Sequence, residues 1–151
     1  MDGQRGMTGS GLLESRAAIE DLVHRYALNV RDRKGDDCHA LFTDDATFEV
    51  REIEPADPTA QAQTRNLLRG KDAIRDYVGR SSKSNMRICP MIHNLLIEME
   101  GDSARSSCIM TTRTWPAGQE MIGQYDDTYH YEDGQWRFRS RTYTIFLSHV
   151  A

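Results

Sequence analysis

G-Q-Y-D-D-T-Y-H-Y-E-D-G-Q-W-R-F-R-S-R, residues 123–141, is the stretch on which the fold turns. Two alternating runs flank Asp133-Gly134, and Asp-Gly between such runs signals a tight hairpin, because glycine accepts the positive φ of a primed turn. Before the turn, Gly123, Tyr125, Asp127, Tyr129 and Tyr131 fall on one face; after it, Trp136 and Phe138 share a face and Arg137, Arg139 and Arg141 take the other. A long aromatic hairpin late in a short chain predicts a strongly curved antiparallel sheet. It also sets a carboxylate, Asp127, among tyrosines. An unpaired carboxylate there is costly, which predicts a salt bridge to Arg137, Arg139 or Arg141 on the neighbouring strand; an inward-facing Asp127 lining a pocket is the alternative.

Working outward, Ser15 is placed to cap a helix beginning at Arg16, in which Ile19, Leu22, Val23, Tyr26 and Val30 form one apolar face. Gly35 ends it. A short helix over 36–42 carries Asp36 and Asp37 at its positive end. A turn at Thr43-Asp44-Asp45 leads to a strand over 46–52, then a loop over 53–63 with Pro55 and Pro58. Residues 64–69 read as a strand or its edge. A third helix over 71–78 buries Ala73, Ile74, Tyr77 and Val78, and the polar stretch 79–87 reads as mobile. Strands over 91–100, 104–115, 121–132 and 135–146 complete the chain. Helices first and a meander of long strands last predict an α+β domain, its helices packed on one face of the sheet.

The 151 residues form one domain over 15–147, with a flexible glycine-rich lead-in over 1–14 and a tail over 148–151. A hydrophobic fraction of 38% suffices for one core, and a net charge of −4 without a basic block argues against nucleic-acid binding. No apolar run approaches the ~20 residues that cross a bilayer, and the N-terminus lacks an apolar signal core. Cys38, Cys89 and Cys108 lie far apart without a C-x-x-C pair, which predicts buried free thiols, no metal site and a reducing, cytoplasmic setting. His24, His39 and His130 read as surface residues without partners.

Five pieces in order carry a family resemblance: I-E-D-L-V-H-R-Y-A (19–27), G-D-D-C-H-A-L-F-T-D-D-A (35–46), G-K-D-A-I-R-D-Y (70–77), H-N-L-L-I-E-M-E-G-D-S-A (93–104) and the hairpin itself. Together they resemble the SnoaL-like branch of the NTF2-like superfamily, over roughly residues 15–145. The resemblance implies a cone: a curved antiparallel sheet wrapped around three helices and enclosing one apolar pocket. Relatives include scytalone dehydratase, a dehydrochlorinase, polyketide cyclases and ketosteroid isomerase, together with non-catalytic binding proteins and subunits. Catalytic relatives generally need no cofactor, and the dehydratase-like ones use a His–Asp pair helped by a tyrosine. Here the resemblance points to His93 as base, Asp32 as its orienting carboxylate and Tyr26 as proton or hydrogen-bond donor. Imidazole suits elimination because it titrates near neutral pH, and a carboxylate on its second nitrogen fixes the tautomer. Counted from Tyr26, the relatives' Asp position falls on Arg31; counted back from Asn94, their His position falls on Pro90.

Parity along the strands adds Phe48, Asn94, Met110, Thr112, Trp115, Tyr125, Asp127 and Phe146 as walls of the pocket. Met and aromatic side chains suit a small hydrophobic, ring-containing substrate. The expected activity is a cofactor-independent lyase or isomerase; a non-catalytic ligand-binding or subunit domain is the alternative. A third reading, a cyclase or hydrolase using Asp127, requires that carboxylate to lack an arginine partner. Pairing through the outer face of the sheet predicts a homodimer or higher homo-oligomer.

Overall fold

A computed structural model of the chain describes residues 9–54, 56–57, 59–82 and 85–146. The elements run α1 (Gly9–Arg31), a 3₁₀ helix (Gly35–Leu41), β1 (Phe42–Ile53), β2 (Gln63–Arg69), α2 (Lys71–Ser82), β3 (Arg87–Glu100), β4 (Ser103–Trp115), β5 (Glu120–Glu132) and β6 (Gln135–Phe146). One six-stranded sheet has the order β2-β1-β6-β5-β4-β3. Its pairings are antiparallel except β1–β6, which is parallel, so the curved sheet is mixed. This is the NTF2-like α+β cone. Its inner face packs on Ile19, Leu22, Val23 and Tyr26 of α1 and on Ile74 and Val78 of α2.

Several boundaries differ from the sequence reading: α2 runs on to Ser82 and β3 begins at Arg87, so residues 79–82 and 87 of the stretch read as mobile belong to regular elements. Helix α1 runs through Ser15 without a break and begins by Gly9, because Leu12, Leu13 and Glu14 are themselves good helix formers. Residues 1–8 and the tail lie outside the described residues. The turn expected at Thr43-Asp44-Asp45 is part of β1: Phe42 sits opposite Phe138 and Thr47 opposite Ser140, so the residues between bulge from the ladder without leaving it. Asp44, at the bulge, binds Lys71 Nζ at 2.8 Å.

Asp133 (φ 52°) and Gly134 (φ 76°) both adopt the left-handed backbone, as a primed hairpin turn requires. Two further irregularities decide which side chains face inward. In β3, His93 pairs with Ile109 but Leu96 pairs with Ser107, one residue too many on β3, and Asn94 takes φ 54° at that point. The inward set therefore passes from Ile88, Pro90 and Ile92 to Leu95, Ile97 and Met99. In β6, Phe138 pairs with Tyr129 and Ser140 with Thr128, leaving Arg139 as the extra residue. Past that bulge the inward set becomes Arg141, Tyr143 and Ile145. Arg141, expected on the face opposite Phe138, thus joins it on the inner face, because one added residue reverses every later side chain.

Candidate functional site

Burial grades along the inner face. Near the start of β6 it is closed: Phe42, Phe48, Tyr129, Phe138, Asp127 and Arg141 are all at most 2% exposed. Asp127 and Arg141 are direct cross-strand partners. Arg141 Nε and Nη2 donate to Asp127 Oδ1 and Oδ2 at 2.9 and 3.2 Å, a two-point contact with both side chains fully buried. The guanidinium carbon lies 3.6 Å from the Tyr125 ring centroid, 4.3 Å from that of Tyr26 and 4.6 Å from that of Phe138. These aromatic faces account for Arg141 Nη1, which has no hydrogen-bond partner among the described residues. Tyr129 Oη extends the cluster to Ser106 Oγ at 2.7 Å. Burial pushes the Asp127 carboxyl up to about 6 against the opposing pull of Arg141. Burial also holds the Tyr26 and Tyr125 phenols well above their ordinary range, so both remain protonated. With a guanidinium bound at both oxygens, Asp127 is a structural counter-ion, and the condition for its use as an acid or base is not met.

At the other end the inner face opens. Ile88, Pro90 and Ile92 of β3, Tyr143 and Ile145 of β6, Tyr77 of α2 and Leu68 of β2 are only half-buried. Pro90 is accommodated because β3 is an edge strand. It faces Thr112, and Ile88 faces Thr114, across the β3–β4 ladder. The hydroxyls of Thr112 and Thr114 are buried without hydrogen-bond partners among the described residues. Two ring contacts join this end to the closed one: Phe48–Tyr77 at 5.9 Å and Tyr125–Tyr143 at 5.1 Å. Among the described residues Tyr143 Oη donates to Met121 Sδ alone, at 3.8 Å, a weak acceptor. Burial, then the nearby Tyr77, push the Tyr143 phenol up to about 12, so it is a standing donor. This end thus sets phenol groups among half-buried apolar side chains. Among the described residues, no group of three or more His, Cys, Asp and Glu is placed to hold a metal ion.

The residues expected from sequence divide between the two faces. Tyr26, Phe48, Met110, Thr112, Tyr125 and Asp127 converge on the inner face. His93, Asn94, Trp115 and Phe146 do not. His93 is exposed on the outer face, where Nε2 meets Thr111 Oγ1 at 2.9 Å, and Pro90 takes the inward position near it. Asn94 is exposed at the bulge. Trp115 is 51% exposed, because the inward residues of β4 are the even ones through Thr114. Phe146 pairs with the exposed Ile122, and Ile145 takes the inward position instead. Asp32 lies at the end of α1, where Arg31 grips both its oxygens at 2.9 and 3.3 Å and holds its carboxyl below the usual carboxylate range. The structure thus does not bring His93 and Asp32 together. The imidazole–carboxylate contact that does form is elsewhere: His39 Nε2 meets Asp72 Oδ1 at 2.7 Å, giving His39 the partner that sequence reasoning denied it. Sequence reasoning also missed Tyr143 and Ile145, which no local motif marks, listed Tyr77 only as a packing residue, and reached Pro90 only as the position where the relatives carry their His.

With this geometry in place, comparisons with known proteins are informative. The family model of the SnoaL-like domain matches residues 12–142. No protein of curated function matches. Among solved structures, a candidate scytalone dehydratase from Novosphingobium aromaticivorans is 25% identical, with a TM-score of 0.68, covering 96% of this chain and 94% of that one. The beta subunit of a candidate aromatic-ring-hydroxylating dioxygenase from the same organism is 23% identical, with a TM-score of 0.74 and coverages of 93% and 94%. LinA is 19% identical, with a TM-score of 0.70 and coverages of 90% and 88%. The latter two likenesses establish the fold alone.

Proposed function

Because the chain belongs to the SnoaL-like domain family, we propose that it binds a small hydrophobic, ring-containing molecule in the open end of its cone, between Tyr77 and Tyr143. One observation carries the reading. Tyr143 presents a protonated phenol whose hydrogen-bond partner among the described residues is a thioether, on an inner face where the apolar side chains of Ile88, Pro90, Ile92 and Ile145 are half-buried. Ligand sites of this kind are mostly apolar with a few placed polar groups. The test is calorimetric titration with a panel of bicyclic ketones and phenols, for example 2-tetralone and 1-naphthol. Saturable binding at one site per chain, lost when Ile92→Trp fills the open end, is the expected result. Absence of saturable binding across the panel refutes it.

A second reading is favoured by the likeness to the candidate scytalone dehydratase. In it the bound molecule is turned over by a cofactor-independent lyase or isomerase reaction, with Tyr26 donating to the leaving or enolic oxygen and the His93–Asp32 pair taking the proton. That reading needs His93 to reach the inner face, and full activity in His93→Ala removes it. We also propose that the chain pairs with itself through the outer sheet face, where Met91, Ile109, Trp115 and Ile122 expose apolar surface. As for membranes, no helix of the described residues is long and apolar enough to cross one.

A further inference from the structure

Gly123 opens the hairpin stretch, yet no turn requires it: it lies within β5, buried, opposite Met110 on one side and Ile145 on the other. Its reason is space. A Cβ built on it would stand 2.6 Å from Tyr143 Cε2 and 2.8 Å from the Thr144 carbonyl oxygen. The Tyr143 ring therefore lies across the backbone of β5 where any side chain would stand. A glycine in a sheet that is covered by a cross-strand aromatic ring regains the packing its missing side chain forgoes. The diagonal placement also brings the ring to 5.1 Å from Tyr125 and the hydroxyl to Met121 Sδ.

We infer that Gly123 is the positioning residue of the open end: by leaving room for the Tyr143 ring, it aims that phenol at the ligand and makes the site selective for ring molecules bearing an oxygen acceptor. The inference rests on the proposed binding of a ring-containing molecule between Tyr77 and Tyr143, and it deepens that reading. The acceptor class follows from the donor. Thioether sulfur is a poor partner for a phenol, so a carbonyl or ether oxygen arriving with the ligand displaces Met121 at little cost. The buried hydroxyls of Thr112 and Thr114 lie on β4 on the same inner face. A ligand lacking an oxygen still fits the apolar walls but leaves the phenol on sulfur.

The matched pair 2-tetralone and tetralin, which differ by one carbonyl oxygen, tests this by calorimetry on the full chain. The unaltered protein is expected to prefer 2-tetralone by about fivefold, the worth of one neutral hydrogen bond. Tyr143→Phe keeps the ring and removes the hydroxyl; it should abolish the preference and leave tetralin affinity unchanged. Gly123→Ala keeps the hydroxyl and displaces the ring together with the β6 backbone at Thr144; it should abolish the preference equally, and the double variant should lose nothing more. A crystal structure of Gly123→Ala supplies a readout without ligand, in which the Tyr143 ring has left β5. Persistence of the preference in either single variant, an unmoved Tyr143 in that crystal, or equal binding of the two compounds by the unaltered protein overturns the inference while the binding reading stands. Binding of neither compound refutes the binding reading itself, and the role of Gly123 with it.

Discussion

Arg141→Met should cost far more at pH 8 than at pH 5. The substitution keeps an unbranched chain among Tyr26, Tyr125 and Phe138 but leaves the Asp127 carboxyl without its two donors at 2.9 and 3.2 Å. Breaking a buried pair on one side typically costs ~3–5 kcal/mol, because the remaining charge is uncompensated. The sign of the pH dependence follows from the direction of the shift. Burial raises Asp127 to about 6 in the folded chain, above the ~3.9 of an unfolded aspartate. The folded state therefore holds the proton more tightly, and stability declines as pH rises through that window, by ~1.4 kcal/mol per unit. In the native protein the decline stops near pH 6, above which the folded carboxyl has also ionised; the guanidinium keeps that value from rising further. Without Arg141 it continues upward, adding ~3 kcal/mol over the next two units. Urea unfolding followed by circular dichroism at both pH values measures the difference directly. A domain of this size shifts by ~2–4 °C per kcal/mol, so the melting temperature at pH 8 should fall by roughly 6–20 °C. Replacing both partners, as Asp127→Leu with Arg141→Met, should recover most of the loss, since an apolar pair of similar volume has no charge to solvate. A cost that is the same at both pH values, or a double variant as unstable as the worse single one, refutes the reasoning.

Three further outcomes are expected. His93→Ala should change stability by no more than ~0.5 kcal/mol, because the ring is exposed and makes one hydrogen bond to Thr111, and calorimetry should find ring-ligand affinity unchanged. Asn94→Gly should be tolerated whereas Asn94→Val should destabilise by ~1–3 kcal/mol in urea, since φ 54° strains a β-branched residue. Trp115→Glu, placing a charge on the outer apolar patch around a side chain 51% exposed, should shift the sedimentation profile from dimer to monomer with the melting temperature little changed.

Sequence was most informative where one local rule acted alone. Asp133-Gly134 marked its turn because two successive positive φ values leave few alternatives, and β6 was delimited from Gln135 to Phe146 by alternation on both sides of that turn. The alternation itself failed past an inserted residue, whereas Trp115, on the unbroken β4, was assigned to the wall against the parity of Met110 and Thr112. Arg139 reversed the faces of Arg141 and Phe146, and the extra residue at Asn94 separated the inward Ile92 from the inward Leu95. Asn94 carried a signal for its bulge, as asparagine tolerates the left-handed backbone; Arg139 carried none. The salt bridge of Asp127 was legible from the cost of an unpaired carboxylate, though not which arginine would supply it. Tyr143 was illegible, because its role depends on a glycine across the ladder. Helix α1 was shortened by trusting Ser15 as a cap, when the residues before it favour helix equally.

The most direct test of the account is a chemical-shift perturbation map of the isotopically labelled protein titrated with 2-tetralone. The account predicts saturable shifts centred on Ile88, Ile92, Thr112 and Tyr143, on the inner face at the open end. Shifts centred on the outer face around His93 and Trp115, or none at saturating ligand, would contradict it.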